Sequence, residues 1–118
     1  IVDDLLLPRD LVPDDIDLWA VHPGGKAILD KFEKSAALRP AQIETSRAVL
    51  RDFGNMSSAT ILFVLKQMLE QSATTSPAIA AMAFGPGLTV ECGLLRVVPG
   101  RRPAPLLDHE PDLALAAL

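Results

Sequence analysis

The chain has 118 residues, 49% of them hydrophobic, and carries a formal charge of −4. That is enough for one modest domain, while the acidic balance and the lack of a Lys/Arg run exclude a nucleic-acid surface. A single cysteine, Cys92, rules out an internal disulfide and any cysteine-based metal cluster, so no metal site is expected.

Residues 1–16 are rich in Asp and Leu, with Pro8 and Pro13 as breakers, and read as a short helix or loop leading in. Ile rather than Met stands first, which suggests a processed chain or a piece of something longer. "DLWAVH" (17–22) is short, apolar and bounded by breakers, as a buried strand is. "GGKAILDKFEKSAAL" (24–38) then sets Ile28, Leu29, Phe32 and Ala36 at helical spacing, with Lys26–Asp30 and Asp30–Lys34 pairs on the wet side. Pro40 suits the first turn of a second helix whose inner face is Ile43, Ser46, Leu50 and Phe53, and Gly54 stops it.

"NMSSATILFVLKQMLEQSA" (55–73) opens on capping residues and is apolar on almost every side from Ala59 to Leu65, so that helix needs cover all round. "AIAAMAF" and "LTVECGLLRVV" are two strand-like runs joined by Gly-Pro-Gly. The order is β-α-α-α-β-β, an α/β fold ending in a hairpin. Its apolar surface exceeds what these elements hide from one another, which implies that further protein completes the core. From Pro99 the chain is Pro-rich, and 99–118 reads as an extended tail with a short terminal helix. No apolar stretch reaches the roughly 18–20 residues a membrane helix needs, and no signal peptide is visible, so a cytoplasmic protein without a membrane partner is expected.

Three short stretches carry the chemistry. In "VHPGG", Pro23 holds His22 extended at the carboxyl end of a strand, where ligands of α/β proteins bind. Gly24 and Gly25 leave the main chain open to another molecule just ahead of a helix N-terminus. The competing reading is a core histidine bonded to a carbonyl, with Pro-Gly-Gly as punctuation. In "GNMSS", Asn55 reads either as the cap of the next helix or as an amide donor aimed into the interior. "FGPG" makes a stiff hairpin turn that can also wall a pocket.

In this order and spacing, "WAVHPGGKAILD", "SRAVLRDFGNMSSATILFVL" and "AFGPGLTVE" resemble the carboxyl-terminal portion of type III polyketide synthases, the chalcone and stilbene synthase family of thiolase fold. The resemblance covers 17–98 as a domain. It implies a Cys-His-Asn triad in which His22 and Asn55 are the histidine and asparagine, and whose cysteine belongs to an amino-terminal half not present in this chain. It also implies that Gly24, Gly25 and Ala27 line the path of a pantetheine arm, that Ser57 lies close to the triad and that Pro86 walls the elongation cavity. The substrates implied are an acyl-coenzyme A starter and malonyl-coenzyme A, with no separate cofactor, in a homodimer. The family's phosphate-binding cations are expected in the absent half.

The implied reaction is a decarboxylative Claisen condensation. Malonyl-coenzyme A loses carbon dioxide, and the charge left on the thioester oxygen takes hydrogen bonds from His22 and Asn55. This chain departs from the plant pattern at Ala83, where glycine is frequent, and at Lys26, where proline is common, which leaves the product open. Cys92 lies in a strand-like run beside Glu91 and is expected to be a buried, inert thiol. A ketoacyl synthase of the same fold is an alternative, against which His-Pro-Gly-Gly argues. A hydrolase using Cys92 and a non-catalytic, self-associating fragment are the others.

Overall fold

A computed structural model describes residues 1–72 and 75–100; the expected terminal helix lies outside them. The elements are α1 (Val2–Leu6), β1 (Leu18–Val21), α2 (Lys26–Ser35), α3 (Pro40–Phe53), α4 (Thr60–Gln71), β2 (Ala78–Gly85) and β3 (Thr89–Arg96). Short 3-10 turns at Leu7–Arg9, Pro13–Asp15, Ser57–Ala59 and Pro86–Leu88 join some of them. The expected α/β order is the observed one.

The sheet runs β1-β2-β3. β1 and β2 are parallel, with Leu18 opposite Ile79 and Val21 opposite Met82. β2 and β3 form the antiparallel hairpin, from Ala78 opposite Arg96 to Gly85 opposite Thr89. Strand alternation divides the core in two. Trp19 and Val21 face one way, into a cluster with Leu5, Leu6, Ile16, Leu29 and Ile43. Ala20 faces the other way, with Val49, Val64, Met68, Ile79 and Val97. So α1 and α2 cover one face and α4 the other.

Helix α3 guards the free edge of β1 and contributes to both clusters through Ile43 and Val49. The buried Ser46 hydroxyl accepts from Val21 N at 3.0 Å and donates to Trp19 O at 3.4 Å, standing in for a neighbouring strand. That anchor sets the rotation of the helix. Its buried positions are Gln42, Ile43, Thr45, Ser46 and Val49, whereas Phe53, expected inside, is 51% exposed and stacks on Phe63 with centroids 5.3 Å apart.

Two further expectations meet different outcomes. Helix α4 buries Thr60, Val64 and Met68 along one line but leaves Leu62, Phe63 and Leu69 exposed, in line with the expected shortfall of cover. Cys92 is exposed, not buried. It lies on β3, the outer strand, against which α1 is the helix that packs.

Candidate active site

His22 follows β1 directly. Its backbone N–H donates to Met82 O at 2.8 Å, extending the ladder by one bond, and its carbonyl accepts from Gly24 N at 2.9 Å. The imidazole is half-buried and folds back over Gly24. A Cβ at position 24 would lie 3.8 Å from His22 Cδ2, 4.0 Å from its Nε2 and 3.0 Å from Ile28 Cδ1. A side chain at 24 would therefore crowd the end of Ile28, which would have to give by a few tenths of an ångström. At Gly25 the backbone is extended, with φ 175°, and a Cβ would meet nothing within 4 Å. Nothing within the described residues requires that position to be bare.

Asn55 reaches the same place from 31 residues away. Gly54, at φ 73°, ends α3 with its N–H on Leu50 O at 3.0 Å, and turns the chain toward the end of β1. Asn55 Nδ2 donates to Gly24 O at 3.3 Å, while its Oδ1 accepts from Ser57 N at 2.9 Å. The second bond fixes which way the carboxamide points. Asn55 is not the cap of α4: that helix begins at Thr60, after a 3-10 turn, with Ala59 at its N-cap. The turn is held by the buried Thr60, whose hydroxyl accepts from Met56 N at 2.7 Å and donates to Ser57 O at 2.8 Å. Ser57 itself sits at φ 60°.

His22 and Asn55 thus both adjoin Gly24, and Ser57 adjoins Asn55; Asn55 and Ser57 are exposed, so the amide is not aimed into the interior of the described residues. Ala27 is exposed in the first turn of α2, beside Gly25. Pro86 opens the turn between β2 and β3, and its carbonyl accepts from Thr89 Oγ1 at 2.9 Å. Because β1 and β2 are parallel, Pro86 and His22 lie at the same end of the sheet. Three residues past the level of His22, Pro86 is about 10 Å further along the strand direction.

Beside the apolar contact of Leu29 and Ile43, ion pairs join α2 to α3. Arg47 Nη1 bonds Asp30 Oδ1 at 2.7 Å, its Nη2 bonds Glu33, and Lys26 Nζ holds Asp30 Oδ2 at 2.8 Å. The expected Lys26–Asp30 pair is present, whereas Arg47 takes the place expected for Lys34. Hydrogen bonds from Lys26 and then Arg47 hold the Asp30 carboxyl below its ordinary range. Glu33, and then Asp30, raise the Arg47 guanidinium against partial burial.

Sequence reasoning missed Gln42, whose Oε1 accepts from Arg39 N at 2.7 Å while its Nε2 donates to Ile16 O at 2.7 Å. A Gln three residues after a helix cap was the available signal. Arg47 gave no signal, since its partners are 14 and 17 residues away.

The domain is mixed α/β, and past the end of its parallel strand β1 the His22 ring and the Asn55 amide both adjoin Gly24. A family model, "Chalcone and stilbene synthases, C-terminal domain", matches residues 14–99, and the chain belongs to that family. Among solved structures it resembles PKS-I from the brown alga Ectocarpus siliculosus, at 33% identity and TM-score 0.74, over 81% of this chain and 27% of that one. It also resembles the carboxyl-terminal type III polyketide synthase domain of Steely1, a type I/III hybrid from Dictyostelium, at 35% identity and TM-score 0.71, over 82% and 28%. CsyB, solved in complex with CoA-SH, is 30% identical with TM-score 0.66, over 74% and 24%. The fold is the carboxyl-terminal part of the thiolase-like one. The chain spans about a quarter of the length of these structures.

Proposed function

We propose that this chain is the carboxyl-terminal portion of a type III polyketide synthase that condenses malonyl-coenzyme A onto an acyl-coenzyme A starter by decarboxylative Claisen chemistry. The supporting observation is the shared contact at Gly24: the His22 ring lies over it, and the Asn55 amide donates to its carbonyl. Both side chains thus adjoin one residue, which supports reading them as a pair of donors to an oxyanion.

In this reading the nucleophilic cysteine lies in an amino-terminal half, and the His22 ring pairs with its thiolate while the starter acyl group is loaded. Malonyl-coenzyme A then breaks its carboxyl carbon bond. Carbon dioxide leaves, and the electron pair passes through the α-carbon to the thioester oxygen as an enolate. His22 and Asn55 donate to that oxygen. The α-carbon next attacks the cysteine-bound thioester, a carbon–carbon bond forms and the thiolate departs. Decarboxylation itself generates the carbanion, so no strong base is needed.

Gly24, Gly25 and Ala27 would carry the pantetheine arm. The open space beside Gly25, which the fold does not use, favours that assignment. Ser57 would steady Asn55, and Pro86 would close the far wall of the elongation cavity. The working enzyme would be a cytoplasmic homodimer acting through residues 17–98 and the upstream half. Among the described residues no helix is long and apolar enough to cross a membrane.

The test is carbon dioxide release from malonyl-coenzyme A by the intact synthase. His22→Ala and Asn55→Ala should each lower the decarboxylation rate by about 10²–10³-fold. Variants that decarboxylate at the native rate would overturn the donor assignment. A self-associating, non-catalytic fragment is the second reading, and the bare Leu62, Phe63 and Leu69 favour it; an inactive intact protein would leave that one standing.

A further inference from the structure

Asn55 stands on a stretch that packing alone does not hold. Asn55, Ser57 and Ser58 are exposed. Ser57 lies in the left-handed region at φ 60°, which disfavours any side chain and persists only where its surroundings impose it. The constraint comes from inside. Thr60, fully buried in the first turn of α4, uses its one hydroxyl twice, accepting from Met56 N at 2.7 Å and donating to Ser57 O at 2.8 Å. The N-cap of α4 is Ala59, which offers no side-chain bond, so Thr60 spends its hydroxyl on the loop ahead. Met56 is half-buried and packs against the cluster of Val64 and Met68, which backs the clamp with core.

From Thr60 a relay of hydrogen bonds runs outward. The Met56 N–H belongs to the peptide unit 55–56 and the Ser57 carbonyl to the unit 57–58, so the hydroxyl pins both. The unit between them carries the Ser57 N–H, which donates to Asn55 Oδ1 at 2.9 Å. With that oxygen taken, Asn55 Nδ2 faces Gly24 O at 3.3 Å. One of its two protons is spent there, and the other is left for a ligand. The direction of that second proton therefore follows from where Thr60 holds the loop.

We propose that Thr60 is a positioning residue for the condensation: acting through Ser57, it sets the direction in which the Asn55 amide donates. The link to turnover rests on the condensation reading, whereas the relay is a property of this chain. A threonine that served only the start of α4 would add stability and leave the amide alone. The two roles separate in a comparison with Thr45, also buried, whose hydroxyl donates to Gln71 Oε1 at 3.3 Å, at the other end of α4.

In the intact synthase, Thr60→Ala should lower kcat for carbon dioxide release from malonyl-coenzyme A by about ten- to a hundredfold, as a misplaced group does, with little change in KM. Thr60→Ser keeps the hydroxyl and should restore most of the rate, and Thr45→Ala should keep it. In an Asn55→Ala background the further effect of Thr60→Ala should fall to about twofold or less, because the group it aims is gone. Independently of turnover, the Asn55 side-chain amide resonances of the isotope-labelled protein should move toward those of a free carboxamide in Thr60→Ala and stay in place in Thr45→Ala. Native kcat in Thr60→Ala, an equal loss with and without Asn55, an equal loss in Thr45→Ala, or unmoved resonances would each overturn the proposal. So would failure of both Thr60→Ala and Thr60→Val to fold beside a folded Thr45→Ala, since Thr60 would then serve the fold alone. Resonances that move as expected in a synthase that releases no carbon dioxide sink the condensation reading instead and leave the relay.

Discussion

The two edges of the sheet are treated in opposite ways. At the β1 edge the outward-facing Val21 N–H and Trp19 carbonyl both meet the Ser46 hydroxyl of α3, and Trp19, Ala20 and Val21 are fully buried. At the β3 edge Glu91, Cys92, Leu95 and Arg96 are exposed. An edge left open is an invitation to pair with other protein, while one sealed by a side chain is not. The sealed edge also bears the candidate donors, because the residue after Val21 is His22. Rigidity is thus placed next to His22, and the open surfaces among the described residues lie on β3 and on the outer face of α4.

The sharpest way to break this contrast is to cut the seal. Ser46→Ala leaves the Val21 N–H buried without a partner and should cost about 1–3 kcal/mol of stability, with faster hydrogen exchange at the Val21 amide. Leu95→Ser on the open edge should stay within about 0.5 kcal/mol. An equal cost at both sites would mean that β3 is covered as closely as β1.

A smaller effect is expected from acid. Asp30 is held below its ordinary value, so the stability it contributes is present above the unfolded carboxyl value of about 3.9 and is lost as pH falls through the lowered folded one. Urea midpoints of the native protein and of Asp30→Asn should therefore differ near pH 6 and converge toward pH 2. Midpoints that stay equally far apart down to pH 2 would remove Asp30 from the account of how α2 is seated.

The least effect belongs to Ala37. It closes α2 in the left-handed region at φ 51°, where Leu38 N reaches back to Glu33 O at 2.9 Å, the bond of a glycine-type helix ending. Ala37→Gly relieves the side-chain penalty and should stabilise by about 0.5 kcal/mol, net of the freedom glycine gains when unfolded, read as a small rise in Tm.

The elements were legible in the sequence because hydrophobic period and breakers act locally. "DLWAVH" between breakers gave β1, Pro40 and Gly54 gave the ends of α3, and Gly-Pro-Gly gave the hairpin. The candidate residues His22 and Asn55 were legible too, each at an element end that proline or glycine marks. Their meeting point was not, since Gly24 O is joined to Asn55 across 31 residues. The misreadings share one cause. Phe53 turns outward because Ser46 fixes the rotation of α3, Arg47 displaces Lys34 because α2 and α3 pack side by side, and Cys92 lies open because β3 is outermost. Each depends on what an element rests against, and periodicity carries no record of that.

The carboxamide of Asn55 has a polarity it cannot reverse. With its oxygen committed to the Ser57 N–H, the nitrogen is the end that always faces Gly24. Hydrolysis of that one amide to a carboxylate would set oxygen against oxygen at this spot and put a negative charge beside the Gly24 carbonyl. A change of a single atom would turn that contact from attraction to repulsion.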